Sequence, residues 1–246
     1  MYNLPHGVGI GISLLKRELD KIRKQKLVIA LDGHSSSGKS TLAHNLAHLL
    51  SINHIDTGAM YRAVTLYLLN NDIDIKDEDK VKSVLDQIDI SFQREDDRCV
   101  AILNGKNVED EIRTMRVSDL VSDVSTISAV RSHLVHLQRK MAASDSVVMD
   151  GRDIGSVVLP DANVKLFVSA SLEIRTERRY KELLAKGVKI TKEDVKENLA
   201  KRDDIDSNRE DSPLIQAEDA IFLNTGNLDQ GQMLAEAVKI IFDKTS

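Results

Sequence analysis

The chain has 246 residues, enough for one α/β core with a small appendage or for two compact domains, and its 41% hydrophobic and 30% charged content is that of a soluble globular protein. A formal net charge of -5 excludes a broad nucleic-acid or anionic-membrane surface, which would need a surplus of Lys and Arg, so any anion site must be local. Cys99 is the only cysteine; without an internal disulfide or a zinc-type Cys/His cluster, the expected setting is reducing and cytoplasmic.

Residues 1–26 read as an extension of the main domain. Val8 to Leu15 is mildly apolar but interrupted by Gly9 and Gly11, and the basic residues Lys16 to Lys26 follow it. That order is wrong for a secretory signal, and the run is too short to span a bilayer. Leu15, Leu19 and Ile22 fit one face of a short helix, expected to dock loosely.

Leu27 to Leu31 is an apolar strand that runs through Asp32 into Gly33-x-x-x-x-Gly38-Lys39-Ser40, with a helix expected after it from Leu42, Leu46 and Leu49. This pattern cradles polyphosphate: the glycines let the backbone curl, and consecutive amides form an anion nest at a helix N-terminus. Gly33, His34, Ser35, Ser36, Ser37, Gly38, Lys39, Ser40 and Thr41 are therefore the candidate ATP-binding loop, with Lys39 for the β- and γ-phosphates and the Ser40 hydroxyl for Mg²⁺.

A second strand, Ile52 to Ile55, leads into Asp56-Thr57-Gly58-Ala59-Met60-Tyr61-Arg62 and a helix. Strand ends of this kind lie at the carboxyl edge of a parallel sheet, where Arg62 could take a phosphate and Tyr61 line a slot. Read alone, the segment is better explained as an N-cap at Asp56 or Thr57 with an incidental arginine; beside a phosphate loop the ligand-binding reading is favoured. Residues 72–108 break the βα alternation. They comprise a charged helix, Asp77 to Ile88, short strands at Ile90 to Arg94 and Cys99 to Leu103 joined by Glu95-Asp96-Asp97, and an Asn104-Gly105 hairpin leading to Val108. This antiparallel unit is expected to be an insertion that moves with substrate.

Helices at Arg116 to Ser128 and Ala129 to Ala143 follow; on spacing alone their Ser122 and Arg131 read as solvated. The strand Ser146 to Asp150 ends in a carboxylate aimed at a metal or its waters, and Arg152-Asp153 suits one phosphate and one base amino group, or else a surface ion pair. After the strand Val164 to Val168, the helix Leu172 to Ala185 carries Arg175, Arg178 and Arg179 on one face, where a polyphosphate would offset their repulsion. Lys186-Gly187 ends that helix, and Thr191-x-x-Asp194 starts another, the shape of a closing lid. Arg202, Asp206 and Arg209 fall nearly in line on this next helix, fit to hold phosphate, sugar hydroxyl and phosphate. A last strand, Ala220 to Asn224, and helix, Leu228 to Phe242, complete an α/β fold with a five-stranded parallel sheet covered on both faces.

These features leave two rivals open: a P-loop kinase for some other small molecule, and a GTP switch, against which stands the lack of an Asn-Lys-x-Asp segment. GHSSSGKST, DTGAMYR, EIRT, DGRDIGSVVLPDA and KRDDIDSNR, in this order, resemble the bacterial cytidylate kinases, nucleoside monophosphate (NMP) kinases of the P-loop class. The resemblance runs from Leu27 to the C-terminus. It implies a single domain over residues 27–246: a core (27–60, 129–174, 193–246), an NMP-binding insertion (61–128) and a lid (175–192). It implies ATP and Mg²⁺ as cofactors, CMP or dCMP as acceptor, and a cytoplasmic monomer with no nucleic-acid or membrane partner. On the residues, it implies that Ser122, Arg131 and Asp153 face the cytosine, that Arg202 and Asp206 hold the ribose, and that Arg62, Arg152 and Arg209 hold the acceptor phosphate beside Thr57 and Tyr61. Lys39, Asp150, Arg152, Arg178 and Arg179 would be the catalytic set, with Arg175 on ATP. Ser36 and Ser40 depart from the family, which usually has Gly at the first and often at the second.

Overall fold

The computed structural model describes residues 25–95 and 98–245; the helix expected around Leu15 to Ile22 and the Asp96-Asp97 turn lie outside them. Five parallel strands form the central sheet in the order β2-β6-β1-β7-β8: β1 Val28–Asp32, β2 Asn53–Asp56, β6 Val147–Gly151, β7 Val164–Ser169 and β8 Ile221–Asn224. Side chains alternate between two apolar layers, as a doubly covered sheet requires. Ile29, Leu31 and Val148 pack against α1 (Lys39–Leu50) and α8 (Gln230–Thr245) through Leu42, Leu46, Met233 and Ile241. Ala30, Val147 and Met149 face α2 (Thr57–Asn70), α4 (Met115–Val124) and α5 (Ser128–Ser144) through Met60, Val64, Val121 and Leu134. Truncating one of these fully buried leucines to Ala costs about 2–5 kcal/mol.

Because all five strands run the same way, their polar last residues gather at one edge: Asp32, Asp56, Asp150-Gly151, Ser169 and Asn224. The register sets Asp56 opposite Asp150 and Asp32 opposite Gly151.

The insertion carries the antiparallel sheet β3-β4-β5 (Ile90–Glu95, Arg98–Leu103, Lys106–Asn107), turned by Asn104 and Gly105 at φ 49° and 79°. Both central residues are left-handed, as a type I′ hairpin demands. The expected helix Asp77 to Ile88 is shorter, α3 Glu78–Val84 followed by a 3₁₀ turn at Leu85–Gln87. Around the segment expected to be the lid, α6 (Leu172–Ala185) and α7 (Lys192–Asn208) share a small core of Leu183, Val195 and Leu199. Thr191 and Asp194 form a complete capping box.

Candidate active site

Between β1 and α1 the phosphate loop is held from behind. A Cβ on Gly33, at φ 149°, would sit 2.0 Å from the Val168 carbonyl oxygen, so only glycine lets the loop lie this close to β7. Ser36 adopts φ 61°, a left-handed conformation that explains why glycine is the usual residue there. The Ser37 carbonyl accepts from Thr225 Oγ1 at 2.7 Å and Arg178 Nη1 at 3.3 Å, and the Ser35 carbonyl from Arg175 Nη1 at 3.3 Å. Inside the loop, Lys39 Nζ makes a 3.4 Å contact to the His34 carbonyl, and Ser37 Oγ and His34 Nδ1 are buried without a hydrogen-bond partner among the described residues. Burial and the neighbouring Arg152 pull the Lys39 ammonium down to about 7. Shifted from 10.5, that is about 5 kcal/mol against the charge, far beyond a surface ion pair and of the size an arriving phosphate would repay. Thr41 is exposed on the first turn of α1.

Asp150 joins this loop to the second pocket. Its Oδ2 accepts from Ser40 Oγ at 2.6 Å, its Oδ1 from His54 Nε2 at 2.7 Å, and its carbonyl from the buried Thr57 Oγ1 at 2.8 Å. Burial alone would raise the Asp150 carboxyl, but His54, Lys39 and Ser40 hold it below the usual carboxylate range. Asp56 resolves the N-cap alternative: it caps α2, accepting from the Ala59 amide at 3.0 Å, and also meets Arg113 at 3.3 Å.

Around the second pocket, Arg152 reaches both ways, from Nη2 to Ser35 Oγ at 2.7 Å and from Nε to Asp206 Oδ2 at 2.6 Å. Asp153 is ion-paired with Arg131, and Arg209 lies 3.8 Å from Asp153 and 3.9 Å from Asp206. The Arg131 guanidinium stands 5.8 Å from the centroid of the Tyr61 ring. Arg62 donates to Ser118 Oγ at 2.9 Å and to the Ile112 carbonyl at 3.1 Å. Burial, with Arg202 and Arg113 nearby, lowers Arg62 to about 9, and burial beside Arg152 lowers Arg202 to about 10. Arg202 Nε, Arg131 Nε and Arg209 Nη2 are buried with no hydrogen-bond partner among the described residues. Several guanidiniums held together at this cost, with donors unspent, form a site built for an anion.

Three local readings change. Ser122, on α4, and Arg131 are buried rather than solvated, at 5% and 2% exposure, and α5 turns Arg131 inward onto Asp153. Arg209 lies one residue past α7 and is oriented by its Nε bond to the Ser212 carbonyl at 2.8 Å. The lid arginines do not share one direction: Arg175 is buried against Asp203 at 2.7 Å and the Ala170 carbonyl, Arg178 grips Thr225 and the phosphate loop, and Arg179 pairs with Glu182 at 2.8 Å. Asp32, unassigned in the sequence, accepts from the Ile154 and Gly155 amides at 2.7 Å each and so fixes the turn after Arg152-Asp153. Asp203 lay within KRDDIDSNR without being given a role, and His54 and Thr225 had no motif; Thr225 carried a weaker signal, its place just after the last strand of the sheet.

A family model described as cytidylate kinase matches residues 29–243. The chain is 53% identical over 210 residues to a cytidylate kinase of Parabacteroides distasonis, covering 83% of this chain and 91% of that one. It is 47% identical over 213 residues to a cytidylate kinase of Carboxydothermus hydrogenoformans, covering 87% and 96%. Among solved structures, an uncharacterized protein from Eubacterium ventriosum aligns with TM-score 0.51 at 14% identity, over 89% of this chain and 99% of that one, a likeness of fold.

Proposed function

Since this chain belongs to the cytidylate kinase family, we propose that it transfers the γ-phosphoryl group of ATP to CMP or dCMP, giving ADP and CDP or dCDP. The observation that carries the reading is Arg152, which touches the phosphate loop at Ser35 and the second cationic pocket at Asp206. Two anion sites joined by one guanidinium are what a reaction between two phosphates needs.

In this reading the loop Gly33 to Thr41 and Arg175 surround ATP, and Lys39, Arg178 and Arg179 neutralise the transferring group. The oxygen donors at Ser40, with Asp150 acting through it and through water, suit Mg²⁺. No three His, Cys, Asp or Glu side chains form a metal cage among the described residues, so its other ligands would be phosphate and water oxygens. When bound, Mg²⁺ supplies charge neutralisation at the phosphates. Arg62, Arg152 and Arg209 hold the acceptor phosphate, whose oxygen is already ionised, so no general base is required.

Asp153 accepts from the cytosine amino group while Arg131 donates to its ring acceptors, near Ser122; a uracil carbonyl in the same place would face the carboxylate. Arg202 and Asp206 hold the ribose, and Thr57 and Tyr61 line the pocket. The insertion (61–128) and lid (175–192) would close over the core and exclude water. The groups assigned to both substrates can all come from a single copy, so the reading needs no second subunit and is compatible with a monomer. No described helix is long and apolar enough to cross a membrane, and the use of cellular nucleotides supports the cytoplasm.

A panel of acceptors with labelled ATP tests this: CMP and dCMP should be phosphorylated far faster than UMP or shikimate. Phosphorylation of none of them, or of shikimate alone, would overturn the reading.

A further inference from the structure

His54 belongs to no motif, yet its ring closes a hydrogen-bond chain that ends at the serine hydroxyl assigned to Mg²⁺. In the parallel register of β2 and β6, His54 lies opposite Val148 and Asp56 opposite Asp150, so His54 and Asp150 are diagonal neighbours on one face of the sheet. His54 Nε2 lies 2.7 Å from Asp150 Oδ1, and Ser40 Oγ lies 2.6 Å from Asp150 Oδ2. The two side chains are 11% and 1% exposed, so this is a closed chain from an edge strand to the first turn of α1.

We propose, on the kinase reading above, that His54 is a positioning residue for the metal–nucleotide half of the site. By occupying Asp150 Oδ1 it keeps Asp150 Oδ2 on Ser40 and keeps the carboxylate off Lys39. The alternative partner is Lys39, a second cation whose charge acts on Asp150. A buried carboxylate oxygen deprived of its donor takes the next one within reach. A Lys39 drawn to Asp150 would be drawn away from the nucleotide phosphates. Besides Asp150, the charged groups acting most on His54 are Asp56 on its own strand and Arg113 ahead of α4; the hydrogen bond it makes to Asp150 leads on to Ser40, so the effect falls first on the ATP side.

The test compares His54→Leu, which cannot donate, with His54→Gln, whose amide stands near the place of Nε2. Mn²⁺, a paramagnetic stand-in for Mg²⁺, is titrated by electron paramagnetic resonance onto the ADP complex with no acceptor present, and KM is measured for ATP and for CMP. His54→Leu should weaken Mn²⁺ binding by about tenfold and raise KM for ATP in proportion, with KM for CMP within about twofold of wild type. His54→Gln should restore most of the loss, and in an Asp150→Asn background His54→Leu should add nothing further. If the leucine variant does not fold, His54→Asn, too short to reach Oδ1, takes its place. Unchanged Mn²⁺ affinity, or equal loss in the leucine (or asparagine) and glutamine variants, would overturn the proposal. Because the Mn²⁺ titration needs no turnover, a failure of the kinase reading would show separately, as absent CMP phosphorylation by the wild-type protein.

Discussion

Lys39 is held in a pocket that disfavours its charge and, among the described residues, gives its ammonium one long hydrogen bond, so its stabilisation depends on what binds there. Lys39→Ala should lower kcat by at least about a hundredfold while leaving a folded protein; unchanged turnover in a coupled ADP-release assay would remove it from the reaction. At the other end of the site, Asp153→Asn keeps the shape of the side chain but lets it donate as well as accept. The ratio of kcat/KM for CMP over UMP should fall by about 10–100-fold, and an unaltered ratio would detach Asp153 from the base. Ser36 illustrates a cost at the same scale. Ser36→Gly should release about 1–2 kcal/mol of left-handed strain against about 0.5–1 kcal/mol of added chain entropy. The thermal midpoint should rise by no more than about 4 °C, and a fall would show that the Ser36 hydroxyl matters more than its backbone.

Among the elements, the turn after β6 and the end of α7 matter most, because each aims charges that its own local sequence leaves undirected. Asp32 holds the first through two amides, and burial raises its carboxyl from 3.8 to about 6. A raised acid binds more protons folded than unfolded, so this group's contribution is fully present below about pH 3.8 and is lost as pH rises through about 6. In urea unfolding, the stability difference between wild type and Asp32→Asn should shift against wild type by about 2 kcal/mol between about pH 4.5 and about pH 7.5. A pH-independent difference would place the shift elsewhere. At the end of α7, Arg209 is poised by Ser212 between Asp153 and Asp206. Arg209→Ala should raise KM for CMP by about 10–100-fold with little change for ATP; an effect on ATP alone would move Arg209 to the other pocket.

Across the molecule, one sheet edge carries both pockets. A dinucleotide bearing adenosine and cytidine on one polyphosphate chain should therefore bind at least about a hundredfold more tightly than ADP or CMP. Affinity no better than that of ADP would mean the pockets do not face each other. By itself the sequence determined the strands, the phosphate loop, the hairpin at Asn104-Gly105 and the capping box at Thr191, because each depends on residues adjacent in the chain. The specific motifs likewise announced the family. Only the tertiary structure decided that Arg131 turns inward, that Arg175, Arg178 and Arg179 separate, and that Asp32 and His54 hydrogen-bond to the candidate site. Apart from Arg179, which pairs with Glu182 on its own helix, their partners lie on other elements, from Asp153 for Arg131 to Asp150 for His54. Such pairings arise only when parallel strands bring distant carboxylates to one edge, where a buried charge must find its counterpart.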